Sequence, residues 1–129
     1  MKNLCTLSDK NYLVKGLTLY NSLIATGETF TLHYLCIDDE TFNTLQILNL
    51  EHVVPVALTD LINYNTKLKN SKKLLTYSNF CFSLAAYFCN YLLKGDVIEE
   101  IYYLDSDLFF YTNFDIIQKE IGNKSIGII

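Results

Sequence analysis

Short apolar runs of strand composition alternate with segments of helical period along this chain, and that order leaves few folds open. The run Asn3-Leu-Cys-Thr-Leu7 leads into Ser8-Asp9-Lys10-Asn11, a turn and helix-cap composition. From Tyr12 to Ala25 apolar side chains recur at helical spacing through Leu13, Leu17, Tyr20, Leu23 and Ile24, with Gly27 placed as a C-terminal cap. Phe30 to Ile37 predicts a second strand, and Asp38-Asp39 opens a helix reaching about Leu48. His52 to Val56 predicts a third strand, whose Pro55 suits a sheet edge or a strand end. The polar segment Thr59 to Thr76 carries Lys67, Lys69, Lys72 and Lys73 and predicts a loop with a helical turn or two. Ser78 is the expected cap of a long helix over Asn79 to Leu93, apolar nearly all round and therefore expected to be buried. Ile101 to Leu104 predicts a strand, Phe114 to Ile121 a short helix, and Ser125 to Ile129 the start of another strand. Such alternation predicts an α/β three-layer sandwich with a mainly parallel sheet.

The 129 residues suit one domain. Because Ile128-Ile129 falls inside an apparent core strand, residues 1–129 are expected to be the amino-terminal part of a longer protein. The net charge of −4 and the absence of a basic stripe argue against nucleic acid as a partner. All ten basic residues are lysines, so an anion would be met by point charges, backbone N–H groups or a metal, never by a guanidinium fork. Cys5, Cys36, Cys81 and Cys89 form no C-x-x-C pair and sit in apolar surroundings, the pattern of buried thiols in a cytoplasmic protein. The longest apolar segment, Phe80 to Leu93, is short of the ~20 residues that a membrane span needs.

One stretch carries chemistry. Ile101-Tyr-Tyr-Leu-Asp-Ser-Asp-Leu-Phe-Phe110 sets two carboxylates, one residue apart, in an apolar frame where an unpartnered charge is costly. Parallel α/β sheets bind ligands beyond the carboxyl ends of their strands, and the Asp pair follows one such end. In extended chain Asp105 and Asp107 share a face, roughly 6–7 Å apart along the backbone. Their hard oxygens at that spacing suit Mn²⁺ or Mg²⁺, which would neutralise the pair and bridge it to a diphosphate. The bland alternative is a solvated turn. Eight aspartates in 129 positions produce about half an Asp-x-Asp by chance. Asp38-Asp39 reads as a helix cap, and His33 and His52, without partners at metal-ligand spacing, read as structural.

Three motifs together resemble the GT-A glycosyltransferases, close to the glycogenin and bacterial family 8-like group. They are Thr6-Leu7-Ser8-Asp9 with Tyr12, Gly16-Leu17 and Ser22-Leu23; Phe80-Cys81-Phe82-Ser83-Leu84; and Tyr103-Leu104-Asp105-Ser106-Asp107-Leu108, similar to the family's Y-L-D-x-D motif. The resemblance covers nearly the whole chain. It implies a Rossmann-like, nucleotide-sugar-binding half of a metal-dependent glycosyltransferase, with a UDP-sugar as donor and a sugar, lipid or protein as acceptor. By match to the motif, Asp105 and Asp107 would hold Mn²⁺ or Mg²⁺ on the donor diphosphate. Thr6, Leu7, Ser8, Asp9 and Tyr12 would line the nucleoside pocket, and Ser106 would meet the ribose side. The family's arginine before the aromatic-Cys helix is missing here; Lys69, Lys72 or Lys73, and Lys73 by preference, would take its place. The family's third metal ligand and acceptor site would lie beyond Ile129. From another class, a non-catalytic α/β interaction module or receiver-like signalling domain fits the same alternation, although a receiver wants its acid pair after the first strand. An Asp-x-Asp phosphatase wants that motif on the first strand, which this chain does not offer.

Overall fold

The computed structural model describes residues 1–95 and 97–127. The elements follow in the order β1 (Lys2–Ser8), α1 (Leu13–Ala25), β2 (Phe30–Cys36), α2 (Asp39–Leu48), β3 (Val53–Ala57), α3 (Leu58–Tyr64), α4 (Lys67–Leu74), α5 (Tyr77–Leu93), β4 (Tyr102–Tyr103) and α6 (Asp115–Ile121). The strands form one sheet in the order β3-β2-β1-β4, and every pairing is parallel. The fold is therefore an α/β three-layer sandwich of Rossmann-like type, with helices on both faces of the sheet.

Strand periodicity divides the core in two. On one face Leu4, Leu32 and Tyr34 pack with Leu19 and Leu23 of α1 and Leu45 of α2, and Leu104 and Phe114 close that layer. On the other face Cys5, Leu35 and Val56 meet Leu61, Leu68 and the α5 stripe Phe80, Leu84 and Phe88. One close approach needs a glycine. A Cβ on Gly16 would overlap the Tyr34 ring, so glycine there lets the Tyr34 hydroxyl lie under α1, 2.5 Å from Ser8 Oγ.

Several expectations are met closely. Gly27 has φ +75°, the left-handed conformation of a helix stop. Asp38 caps α2 through its side chain. β3, which carries Pro55, is an edge strand. His33 pairs with Asn3 Oδ1 at 3.3 Å, and His52 packs against Phe30, so both histidines hold structural contacts.

Other expectations are corrected. The polar segment from Thr59 folds into two helices, α3 and α4, because Leu58, Leu61 and Leu68 give each an anchor in the core. The cap of α5 is Thr76, whose hydroxyl oxygen accepts the Asn79 N–H; the helix begins one residue before Ser78. α5 is apolar all round yet buries only the Phe80–Leu84–Phe88 stripe, leaving Phe82 80 % exposed, since it lies in an outer layer. The strand expected over 101–104 shrinks to the two residues of β4. Ser125 to Gly127 are not strand, and Ile128 and Ile129, the rest of that expected element, lie outside the described residues. Among the described residues no helix is long and apolar enough to cross a membrane.

Candidate functional site

Because the strands run in parallel, their carboxyl ends make one rim, and acids stand beyond three of them: Asp9 after β1, Asp38 after β2 and Asp105 after β4. The first two are committed to donors of the protein itself. Asp9 is buried. Its Oδ1 accepts the N–H groups of Asn11 at 2.9 Å and Tyr12 at 3.1 Å, turning the chain from β1 into α1. Its Oδ2 accepts the Tyr77 hydroxyl at 2.6 Å, tying the first residue of α5 to the end of β1. Burial, reinforced by that hydrogen bond to Asp9, holds the Tyr77 phenol well above its ordinary value, so it stays a donor. Asp38 Oδ1 accepts the Thr41 N–H and Oδ2 the Lys10 N–H, both at 2.8 Å. Burial opposes ionisation of Asp38, but the hydrogen bonds from Thr41 and Lys10 outweigh it and hold its carboxyl below the usual range.

Between these two acids and the start of α5 opens a cleft of about 470 Å³. Its wall includes Asp9, Asn11, Asp38, Lys72, Tyr77 and Phe80. Two carboxylates, an amide, the lysines Lys10 and Lys72 and aromatic rings around one concavity suit a flat polar ligand with an anionic tail.

Asp105 and Asp107 stand differently on the rim. β1 pairs Cys5 with Tyr103, and Leu104 N–H donates to the Cys5 carbonyl at 2.8 Å. Beyond Leu104 the pairing with β1 ends. There the chain turns: Leu108 N–H donates to the Asp105 carbonyl at 3.1 Å, closing a four-residue turn over Asp105–Leu108. Both carboxylates are exposed, and Leu108 and Phe109 are exposed beside them. This corrects two expectations. The pair is not extended chain with a shared face, and it is not buried; local geometry is that of the solvated turn. Only Leu104 of the apolar frame reaches the core fully, while Phe110 is half-buried with its N–H donated to Ser22 Oγ at 3.0 Å. Burial, with the Asp105 charge next in size, keeps the neighbouring Tyr103 phenol protonated well above its ordinary value.

The expected nucleoside-lining residues stand in different surroundings. Asp9 lines the cleft. Thr6 is fully buried, with no hydrogen-bond partner for its hydroxyl oxygen among the described residues. Leu7 packs half-buried against the α5 side, and the Ser8 hydroxyl is spent on Tyr34. Tyr12 is half exposed, with the Lys15 ammonium 4.8 Å from its ring centre. Ser106 sits half-buried in the turn. Lys73 is exposed on α4, while Lys72 and Lys10 are the lysines on the cleft wall among the described residues. Sequence reasoning missed Tyr77 and Asn11. Asn11 could have been found from the Asp-x-Asn turn, but nothing local to Tyr77 signals a partner 68 positions earlier.

The carboxylates of Asp105 and Asp107 are of the donor type that a divalent cation takes. Two exposed carboxylates offer hard oxygens, and Mg²⁺ or Mn²⁺ ordinarily keeps waters and takes phosphate oxygens besides. Among the described residues no group of three His, Cys, Asp or Glu side chains converges on one point.

No family model matches the chain. It is 30 % identical over 112 residues to YfnF of Bacillus subtilis (strain 168), described as uncharacterized; the match takes in 84 % of this chain and 36 % of that protein. It is 28 % identical over 109 residues to YfnD of the same organism, also uncharacterized, covering 84 % of this chain and 34 % of the relative. The chain thus spans about a third of the length of the curated relatives it matches.

Proposed function

We propose that this chain is the donor-binding part of a cytoplasmic, metal-dependent glycosyltransferase that takes a nucleotide-sugar, a UDP-sugar first of all. The observation that carries the reading is the shared rim: an all-parallel sheet gathers a cleft lined by Asp9 and an exposed Asp105–Asp107 turn at the same carboxyl edge. The three motifs of the resemblance fall on this rim or on the helices that build it.

In this reading the nucleoside enters the cleft beside Asp9, Asn11 and Tyr77, with Tyr12 as an aromatic neighbour. Lys72 supplies a point charge toward the diphosphate. Asp105 and Asp107 hold Mn²⁺ or Mg²⁺, which supplies Lewis-acid stabilisation of the departing diphosphate when bound. The acceptor, a sugar, lipid or protein, is met by the remainder of the protein. A cytoplasmic setting is supported by four free thiols. The receiver-like alternative is disfavoured by Asp38, whose two oxygens are both taken up by backbone N–H groups.

Thermal unfolding with UDP, with MnCl₂, and with both tests the reading. Stabilisation by UDP that requires Mn²⁺ is expected for the wild type and is expected to vanish in the Asp105→Asn, Asp107→Asn double variant. Unchanged Mn²⁺-dependent stabilisation in that variant would remove the metal role.

A further inference from the structure

Between β1 and α5, on the α5 face of the sheet, two thiols meet. Cys5 lies in the middle of β1, fully buried among the side chains that α5 packs onto. Cys89 lies near the end of α5, half-buried at the margin of the same cluster. Their Sγ atoms are 3.8 Å apart, although the residues are 84 positions apart in sequence. That is contact distance, and forming a disulfide would draw the two sulfurs together to about 2.05 Å.

We propose that Cys5 and Cys89 form a redox modification site, a dithiol that a peroxide converts to a disulfide stapling β1 to α5. This inference is independent of the nucleotide-sugar reading. Cys89, the more accessible partner, attacks the peroxide as thiolate; the O–O bond breaks, one oxygen stays on Cys89 as sulfenic acid and the other leaves as water after taking a proton. The Cys5 sulfur then attacks the Cys89 sulfur. The S–S bond forms, the S–O bond breaks, and the hydroxyl leaves as a second water with the Cys5 proton. The two thiols lose two electrons together, and the peroxide gains them.

The local environment selects this pair over the other cysteines. The hydrogen bond between the two thiols holds Cys89 below its ordinary value despite burial, and the same contact together with burial pushes Cys5 up. Burial pushes Cys36 up to about 12 and also raises Cys81, leaving both poor in thiolate. Cys36 lies on the opposite face of the sheet, packed with Tyr34 and Leu45.

The test is hydrogen peroxide treatment of the folded protein, then denaturation, alkylation of remaining thiols and peptide mapping. Two alkylated thiols, Cys36 and Cys81, are expected, with a Cys5–Cys89 linked peptide pair, a mass about 2 Da lower before alkylation, and restoration by dithiothreitol. The oxidised form should melt roughly 5–10 °C higher, because a long loop is closed in the unfolded chain. Cys89→Ser, at the half-buried position, should abolish the linked pair, while Cys81→Ser should leave it intact. Four alkylated thiols after treatment, a linked pair involving Cys36 or Cys81, or a crosslink surviving in Cys89→Ser would each overturn the proposal.

Discussion

The β1–β2 rim and the β4 rim carry the same chemical group and use it in opposite ways. Asp9 and Asp38 spend every carboxylate oxygen on the protein itself: five hydrogen bonds from Asn11, Tyr12, Tyr77, Thr41 and Lys10. They shape loops and start helices. Asp105 and Asp107 leave their side chains in solvent on a turn closed by backbone alone. An acid already satisfied by N–H donors gains little from a ligand, whereas a free one loses only water when it binds a cation. Position on the rim therefore does not decide which acids are available for chemistry; their hydrogen-bond partners do. Asp9 is intermediate, because one of its bonds comes from a side chain, Tyr77, and not from the backbone.

The contrast can be broken most severely at Asp9. Asp9→Ala removes a buried carboxylate, orphans the Asn11 N–H, leaves the Tyr12 N–H only its bond to the Asp9 carbonyl and frees the Tyr77 hydroxyl, and should cost about 2–3 kcal/mol by urea unfolding. A cost near zero would mean that Asp9 belongs with the free acids. Asp38→Ala should cost about 1–2 kcal/mol through loss of the α2 cap.

Protonation sharpens the same point. The folded Asp38 carboxyl titrates below its unfolded value of 3.8. Its stabilisation is thus complete above that unfolded value and lost as pH falls through the lower folded one. Melting temperatures of wild type and Asp38→Asn should converge as pH drops below about 4. A gap that persists in strong acid would place the cap's strength in geometry rather than charge. The smallest effect is expected at the other rim, where the Asp105→Asn, Asp107→Asn double variant should change stability by no more than ~0.5 kcal/mol. A larger loss would show that the turn depends on those side chains after all.

Local signals were the legible ones. The α1 period, the left-handed stop at Gly27, the Asp38 cap and the edge position of Pro55 each depend on a few adjacent residues, and each is where the pattern predicts. Polarity misled over Thr59 to Thr76, because three leucines at the right places outweigh many lysines once a core exists to receive them. Hydrophobicity misled over α5, because a helix in an outer layer buries one stripe whatever its other faces carry.

The candidate site divides along the same line. That acids follow strand ends was readable, since the alternation sets where strands stop. Which acids are free was not. The Tyr77–Asp9 bond and the Cys5–Cys89 contact join residues 68 and 84 positions apart. Asp105 and Asp107 were expected to share an extended face and instead occupy a turn.

By itself the amino-acid order determined the layered α/β architecture and the acids at strand ends, because period and capping act within a few residues. The tertiary structure alone decided which carboxylates are consumed and which thiols touch, because those outcomes depend on side chains brought together across the sheet.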